Sequence, residues 1–166
     1  MSGKVTKNVT EITVEPGRLD ITIVREFDAP RELVFRAFTD PELVTRWLGP
    51  RSLTMRVNTW NAVSGGTWDY VSVDIDGSAY GFHGVFHEVL TPDRIIQTFE
   101  FDGLPEAGHV ALETAHFQAL PGNRTRLVQQ SVFQTVDDRD GMMQSGAEGG
   151  VREGHERLDE LLATLV

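Results

Sequence analysis

Four titratable side chains set in strand-like runs are the first candidates for chemistry in this 166-residue chain: Glu88, Glu100, Glu113 and His116. A carboxyl drawn into an apolar interior near Tyr70 or His116 would hold its proton more tightly and could serve proton transfer, as a cyclase or dehydratase requires. The plainer expectation places all of these carboxylates on a wet sheet face. Nucleophilic catalysis finds no support. There is no cysteine and no G-x-S-x-G, and Ser145-Gly146 sits in a helical stretch without a nearby base. Metal chemistry fares no better. His83 and His87 share a strand parity, but four strand residues span about 13 Å, whereas ligands of one ion crowd within about 2.1 Å of it. No H-E-x-x-H or calcium-loop spacing occurs, and the glycine-rich stretches fit no phosphate or dinucleotide pattern. No catalytic residue, metal or cofactor is therefore assigned.

A binding site is better supported, and it rests on strand parity. Trp68 and Tyr70 share a face, as do Phe82, Gly84 and Phe86, and as do Ile95, Gln97 and Phe99. Turned inward, these sets make an aromatic wall with a few polar groups: Gln97, Gln129, Ser131 and His116. That mixture suits a small-molecule site. Gly84 in mid-strand marks a close approach of another group. Trp47, just before Gly49-Pro50, is expected at the cavity mouth. Met142 and Met143 supply a soft, adaptable wall.

The elements that must position these residues are legible from periodicity. Leu19 to Phe27 alternates as a strand. Asp28-Ala29-Pro30 opens a helix, with Asp28 as its cap and Pro30 in its first turn. Asp40-Pro41-Glu42 opens a second short helix that runs from Glu42 to Trp47. Six strands follow, at about 54–61, 67–75, 80–90, 95–101, 109–120 and 124–135. Asp76-Gly77 between two alternating runs is a hairpin signal. The end of the chain reads as one long helix from Val136 to Val166, with Val151, Leu158, Leu161, Leu162 and Leu165 on its apolar stripe. Met142, Met143, Gly146, Gly149 and Gly150 soften its first half, either as a kink or as a helix held loosely over a cavity. Seven antiparallel strands need a cover for one face, and this helix is the one long amphipathic element available. The fold class is α+β: a seven-stranded curved antiparallel sheet around a long C-terminal helix, with two short helices between the first two strands. Residues 1–18 form a tail, mobile or added as an edge strand, and residues 19–166 form one domain.

Charge narrows the partners. With 15 Lys and Arg against 25 Asp and Glu, the formal charge is −10. An acidic chain without a basic run is a poor ligand for nucleic acid or anionic membrane. No signal-peptide core and no run of about 18 apolar residues occurs, so a soluble, cytoplasmic protein is expected. A homodimer through strand edges or spare aromatics is compatible with the sequence.

Arg25 to Phe35, Thr39-Asp40-Pro41-Glu42-Leu43 and Arg46-Trp47-Leu48-Gly49-Pro50 together resemble the START-like (SRPBCC, birch-pollen-allergen-like helix-grip) superfamily. The similarity is greatest to the branch named for homology to activators of the heat-shock-protein-90 ATPase. Gly65-Gly66-Thr67-Trp68, Gly84 to Val89, Pro92 to Ile95, Thr125-Arg126-Leu127 and Glu148-Gly149-Gly150-Val151 extend the resemblance over nearly the whole chain. It implies a helix-grip fold with a cavity between sheet and final helix. Members of this branch are mostly small proteins with a ligand cavity. Val151 stands where the family usually has Trp, and Gln97 where it usually has an apolar residue, so no ligand is carried over. The expectation is non-catalytic binding of a small apolar or aromatic molecule. A cyclase-like or dehydratase-like enzyme in the same cavity is the alternative, and a chaperone-interaction module comes third.

Overall fold

A computed structural model describes residues 8–166. Its strands are β1 (Glu11–Thr13), β2 (Asp20–Phe27), β3 (Leu53–Trp60), β4 (Thr67–Asp74), β5 (Ala79–Leu90), β6 (Arg94–Phe101), β7 (Val110–Leu120) and β8 (Arg124–Val132). Its helices are α1 (Arg31–Thr39), α2 (Pro41–Val44), α3 (Val136–Gln144) and α4 (Ala147–Leu165). All strands join one antiparallel sheet in the order β1-β2-β8-β7-β6-β5-β4-β3. The helices cover one face of it, which is the helix-grip arrangement. The sheet has eight strands rather than seven because Glu11–Thr13, too short to show alternation, pairs with Thr22–Val24 on the outer edge. Among the described residues no helix is long and apolar enough to cross a membrane.

Local chemistry explains most boundaries. Asp40 caps α2, its carboxylate accepting from the Glu42 amide at 3.0 Å, with Pro41 at the first position. The helix ends at Val44, short of Trp47, as the chain tightens into turns. Asp28 does not cap α1. The extended Pro30 holds that position without a side-chain bond, and Asp28 instead accepts from Asn8 Nδ2 and Arg124 Nε, both at 2.8 Å. Gly77 at φ +89° closes the expected β4–β5 hairpin.

The C-terminal segment is two helices, not one. Thr135 caps α3 through the Asp138 amide at 3.0 Å, and Asp137 and Asp138 sit in its positive first turn. Ser145 ends it, and Gly146 adopts φ +86°, a left-handed conformation that breaks the helix before α4 begins. Leu158, Leu161 and Leu162 are buried. Each contributes about 1.5–3 kcal/mol to holding α4 on the sheet. Val151 is only partly buried, and Leu165, expected on the stripe, is 37% exposed.

The second half of α4 is clamped by polar contacts as well. Arg157 donates to the carbonyls of Arg46 (2.9 Å) and Gly49 (3.0 Å). Gly154 permits this approach, because a Cβ there would lie 3.3 Å from the Trp47 carbonyl oxygen. On the other flank His155 Nδ1 pairs with Thr10 Oγ1 at 2.8 Å, and Arg25 Nη2 donates to Asp159 at 2.6 Å. The first turn of α4 is held less closely: a Cβ built on Gly149 would meet nothing within 4 Å, and one on Gly150 only Pro50 at 3.6 Å.

Candidate functional site

Cross-strand register assigns the inner face directly. One row across the sheet reads Ile21, Ser131, Glu113, Gln97, Phe86, each opposite the next. The adjacent row reads Ile23, Gln129, Ala115, Ile95 and Val89. Buried Ile21, Phe86, Ile95 and Ala115 show that these rows face the helices. A β-bulge between Phe86 and Glu88 switches parity in β5, so Val89 rather than Glu88 continues the row.

Aromatic rings line the β3–β6 side of this face. Trp68 stacks on Tyr70 (5.5 Å between centroids, 24° between planes), Tyr70 meets Phe82 at 5.2 Å, and Phe82 meets Phe99 at 5.4 Å. Gly84 lies opposite Trp68. A Cβ there would stand 2.1 Å from the Thr98 carbonyl oxygen and 2.7 Å from the indole ring. The glycine is what lets the indole lie across the strand. Trp68, Tyr70 and Phe86 are buried, whereas Phe82 and Phe99 keep part of their surface open. The buried Trp68 indole N–H has no acceptor among the described residues. A polar group left in that state costs about 1–3 kcal/mol. Met142 and Met143 of α3, both partly buried, pack against Ile21, Ala111 and Phe133 beside Phe99.

Between these apolar regions lies a polar centre. Glu113 accepts from Ser131 Oγ at 3.0 Å and from Gln97 Nε2 at 3.3 Å. Burial pushes the Glu113 carboxyl above its ordinary pKa, and the two hydrogen bonds only partly oppose that shift. The Tyr70 hydroxyl is also held well above its usual value, first by burial and then by the Glu113 charge. The arrangement can accept a hydrogen bond, or keep a proton, in the middle of an apolar and aromatic surface.

Of the residues expected from sequence, Trp68, Tyr70, Phe82, Phe86, Gln97, Phe99, Gln129 and Ser131 meet on this face, with Met142 and Met143 over it. Two belong elsewhere. His116 alternates with buried Ala115 and Phe117, so it points to the outer face and is exposed. Trp47 is 4% exposed, its indole donates to the Ala37 carbonyl at 2.8 Å, and its ring packs on Phe38. It is core rather than a cavity mouth. The inward carboxylate that sequence reasoning set on a wet face is Glu113. The signal was present: Ala111, Glu113, Ala115 and Phe117 share one parity.

Two open depressions lie away from this face. One, of about 210 Å³, is bordered by Thr13, Glu15, Arg18, Asp20 and Thr22. The other, of about 570 Å³, lies along β3 and β4 and includes Met55 and Ile75. Among the described residues, no three His, Asp or Glu side chains gather in a way that could hold a metal ion.

Known proteins share this architecture. A solution structure of an Arthrobacter aurescens protein is 26% identical, with 93% of this chain and 91% of that one covered at a TM-score of 0.84. A crystal structure of a Rhodobacter sphaeroides protein is 25% identical, covering 94% of this chain and 99% of that one at 0.83. A Mycobacterium smegmatis protein, 23% identical over 93% of this chain and 96% of its own at 0.83, shares the fold. Among curated proteins none matches. The family described as Activator of Hsp90 ATPase homolog 1-like protein matches residues 28–163, most of the sheet and both C-terminal helices. The chain belongs to that family.

Proposed function

We propose that this chain binds a small apolar or aromatic molecule, without transforming it, between the inner face of the sheet and the α3–α4 pair. The observation that carries the reading is the ladder Trp68–Tyr70–Phe82–Phe99, whose last two rings are only partly covered. Above it stand two flexible methionines and a helix joint at Gly146. Side chains occupy much of the space at rest, so the guest enters by displacing Met142 and Met143. Methionine re-packs at small cost because its side chain is unbranched and polarizable. The acidic chain is proposed to act apart from nucleic acid and membranes.

The test is uptake of a neutral fluorescent probe such as N-phenyl-1-naphthylamine. Phe82→Ala and Phe99→Ala are suitable variants, since both rings are partly exposed and lie at the edge of the core. Each is expected to weaken uptake about tenfold while the protein stays folded by circular dichroism. Undiminished uptake in both variants would refute the site.

One observation favours a second reading. Glu113 has an elevated pKa and lies within electrostatic reach of Tyr70. An acid in that setting could protonate or deprotonate a bound carbonyl compound, as a cyclase or dehydratase would need. Turnover of a poly-β-keto thioester that is abolished in Glu113→Gln would establish this reading over the first.

A further inference from the structure

Glu113 presents an electrostatic question that binding a purely apolar molecule leaves open. Its carboxylate has room for about four hydrogen bonds, yet among the described residues only Ser131 and Gln97 donate to it, and both are neutral. The cations on or near the inner face have partners of their own, although the buried Arg25 Nε has none among the described residues. Arg25 gives its Nη atoms to Asp159 and to the Glu26 carbonyl. Arg139 of α3 is occupied by Asp140 and by the carbonyls of Glu15 and Asp20. His155 of α4 is kept neutral by burial and pairs with Thr10. The Tyr70 hydroxyl registers Glu113's charge, and it is itself an acid rather than a cation. Among the described residues Glu113 has no ion-pair partner, and it shares the inner face with Phe99 of the neighbouring strand and with Tyr70, whose hydroxyl feels its charge.

Two kinds of partner relieve such a group. One is a proton. The other is a cation supplied from outside, and the surroundings favour an organic one. Aromatic faces attract ammonium groups through their ring quadrupoles, and an ammonium N–H donates a short, charge-assisted bond to a carboxylate. The body of such a molecule would lie on the aromatic ladder and its amine would reach the Gln97–Glu113–Ser131 row.

We infer that the ligand of this site is an amine: an apolar or aromatic body bearing a protonated nitrogen that pairs with Glu113. This rests on the binding reading above and specifies the chemistry of its guest. Ser131 and Gln97 then act as positioning residues, holding the carboxylate oxygens so that their free lone pairs face the bound nitrogen.

The experiment compares 1-naphthylmethylamine with its neutral counterpart 1-naphthylmethanol by titration calorimetry at pH 7.5. The amine is expected to bind wild-type protein at least tenfold more tightly. In Glu113→Gln the ratio should fall to about one. A second measurement needs no variant: in wild-type protein the preference should decline as the pH is lowered and Glu113 takes up its proton. Equal affinities in wild-type protein, or a preference that survives both Glu113→Gln and acid, would overturn the amine assignment while leaving the binding site intact. Failure of both naphthyl compounds and of the neutral probe to bind would overturn the binding reading itself, and the amine assignment with it.

Discussion

Acid should loosen the grip on α4 through one residue, His155. Its imidazole is 3% exposed, stands edge-on to Phe27 at 5.5 Å and pairs with Thr10 Oγ1. Burial, reinforced by Arg25 and Arg152, lowers its pKa from the ordinary 6.5 to about 3. The folded protein therefore keeps this histidine neutral where the unfolded chain protonates it. Above pH 6.5 both states are neutral and the group has no effect on the pH dependence. As pH falls below 6.5 only the unfolded state gains the proton, and stability is lost down to about pH 3, below which the loss is complete. Each pH unit in that window costs up to about 1.4 kcal/mol. The loss between pH 6.5 and 5 is then about 2 kcal/mol, which lowers the melting temperature by about 4–8 °C for a chain of this size. Asp159 and Glu113, whose raised pKa values give the opposite trend at lower pH, overlap this signal. The informative quantity is thus the difference between wild type and His155→Gln in urea unfolding from pH 8 to pH 4. That difference should shrink by about 2 kcal/mol from pH 6.5 to 5 as the wild type loses its advantage. A difference that does not change with pH would show that His155 is not buried in its neutral form, and the packing of α4 on β2 would need revision.

Further outcomes follow from the same geometry. Gly84→Ala places a methyl against the Thr98 carbonyl and the Trp68 ring. It should destabilise by about 3 kcal/mol, seen as a fall in melting temperature, whereas Gly149→Ala, in open space on a helix, should stabilise by about 0.5–1 kcal/mol. Equal effects would contradict the strand contact. Glu113→Gln removes an ionisation that burial disfavours. Because the folded carboxyl has the higher pKa, the wild type loses stability as pH rises from the ordinary glutamate range through the raised value, so the variant should be the more stable protein at pH 8 and should lose that advantage by pH 4. Urea unfolding at the two pH values checks the sign, and a less stable variant at pH 8 would contradict an inward carboxylate that burial disfavours in its charged form.

Much of this molecule was legible because its strands are half-buried and alternate cleanly. Trp68 with Tyr70, and Gln97 with Phe99, could be paired by parity before any register was known. What escaped depends on partners distant in sequence. Asp28 looks like a helix cap until Arg124, 96 residues away, takes it. Glu113 carries a charge, and charge argued for solvent more loudly than the Ala111–Phe117 alternation argued for the interior. His116 was placed inward by its chemistry although its neighbours Ala115 and Phe117 already claimed that side. The soft run from Met142 to Gly150 was visible as a weakness, but composition does not say that Gly146 would turn left-handed and divide one helix into two. The three-residue β1 is too short for periodicity to reveal.

The central claim is that a guest sits on the inner face between the aromatic ladder and α3. Nuclear magnetic resonance of the three indole N–H groups and of the methionine methyls reads this directly. Titration with N-phenyl-1-naphthylamine should shift the Trp68 indole resonance and the Met142 and Met143 methyls together, at one affinity, while the Trp47 indole, tied to the Ala37 carbonyl, moves little. Shifts confined to Met55 and the neighbouring β3–β4 surface, with Trp68, Met142 and Met143 unmoved, would contradict it.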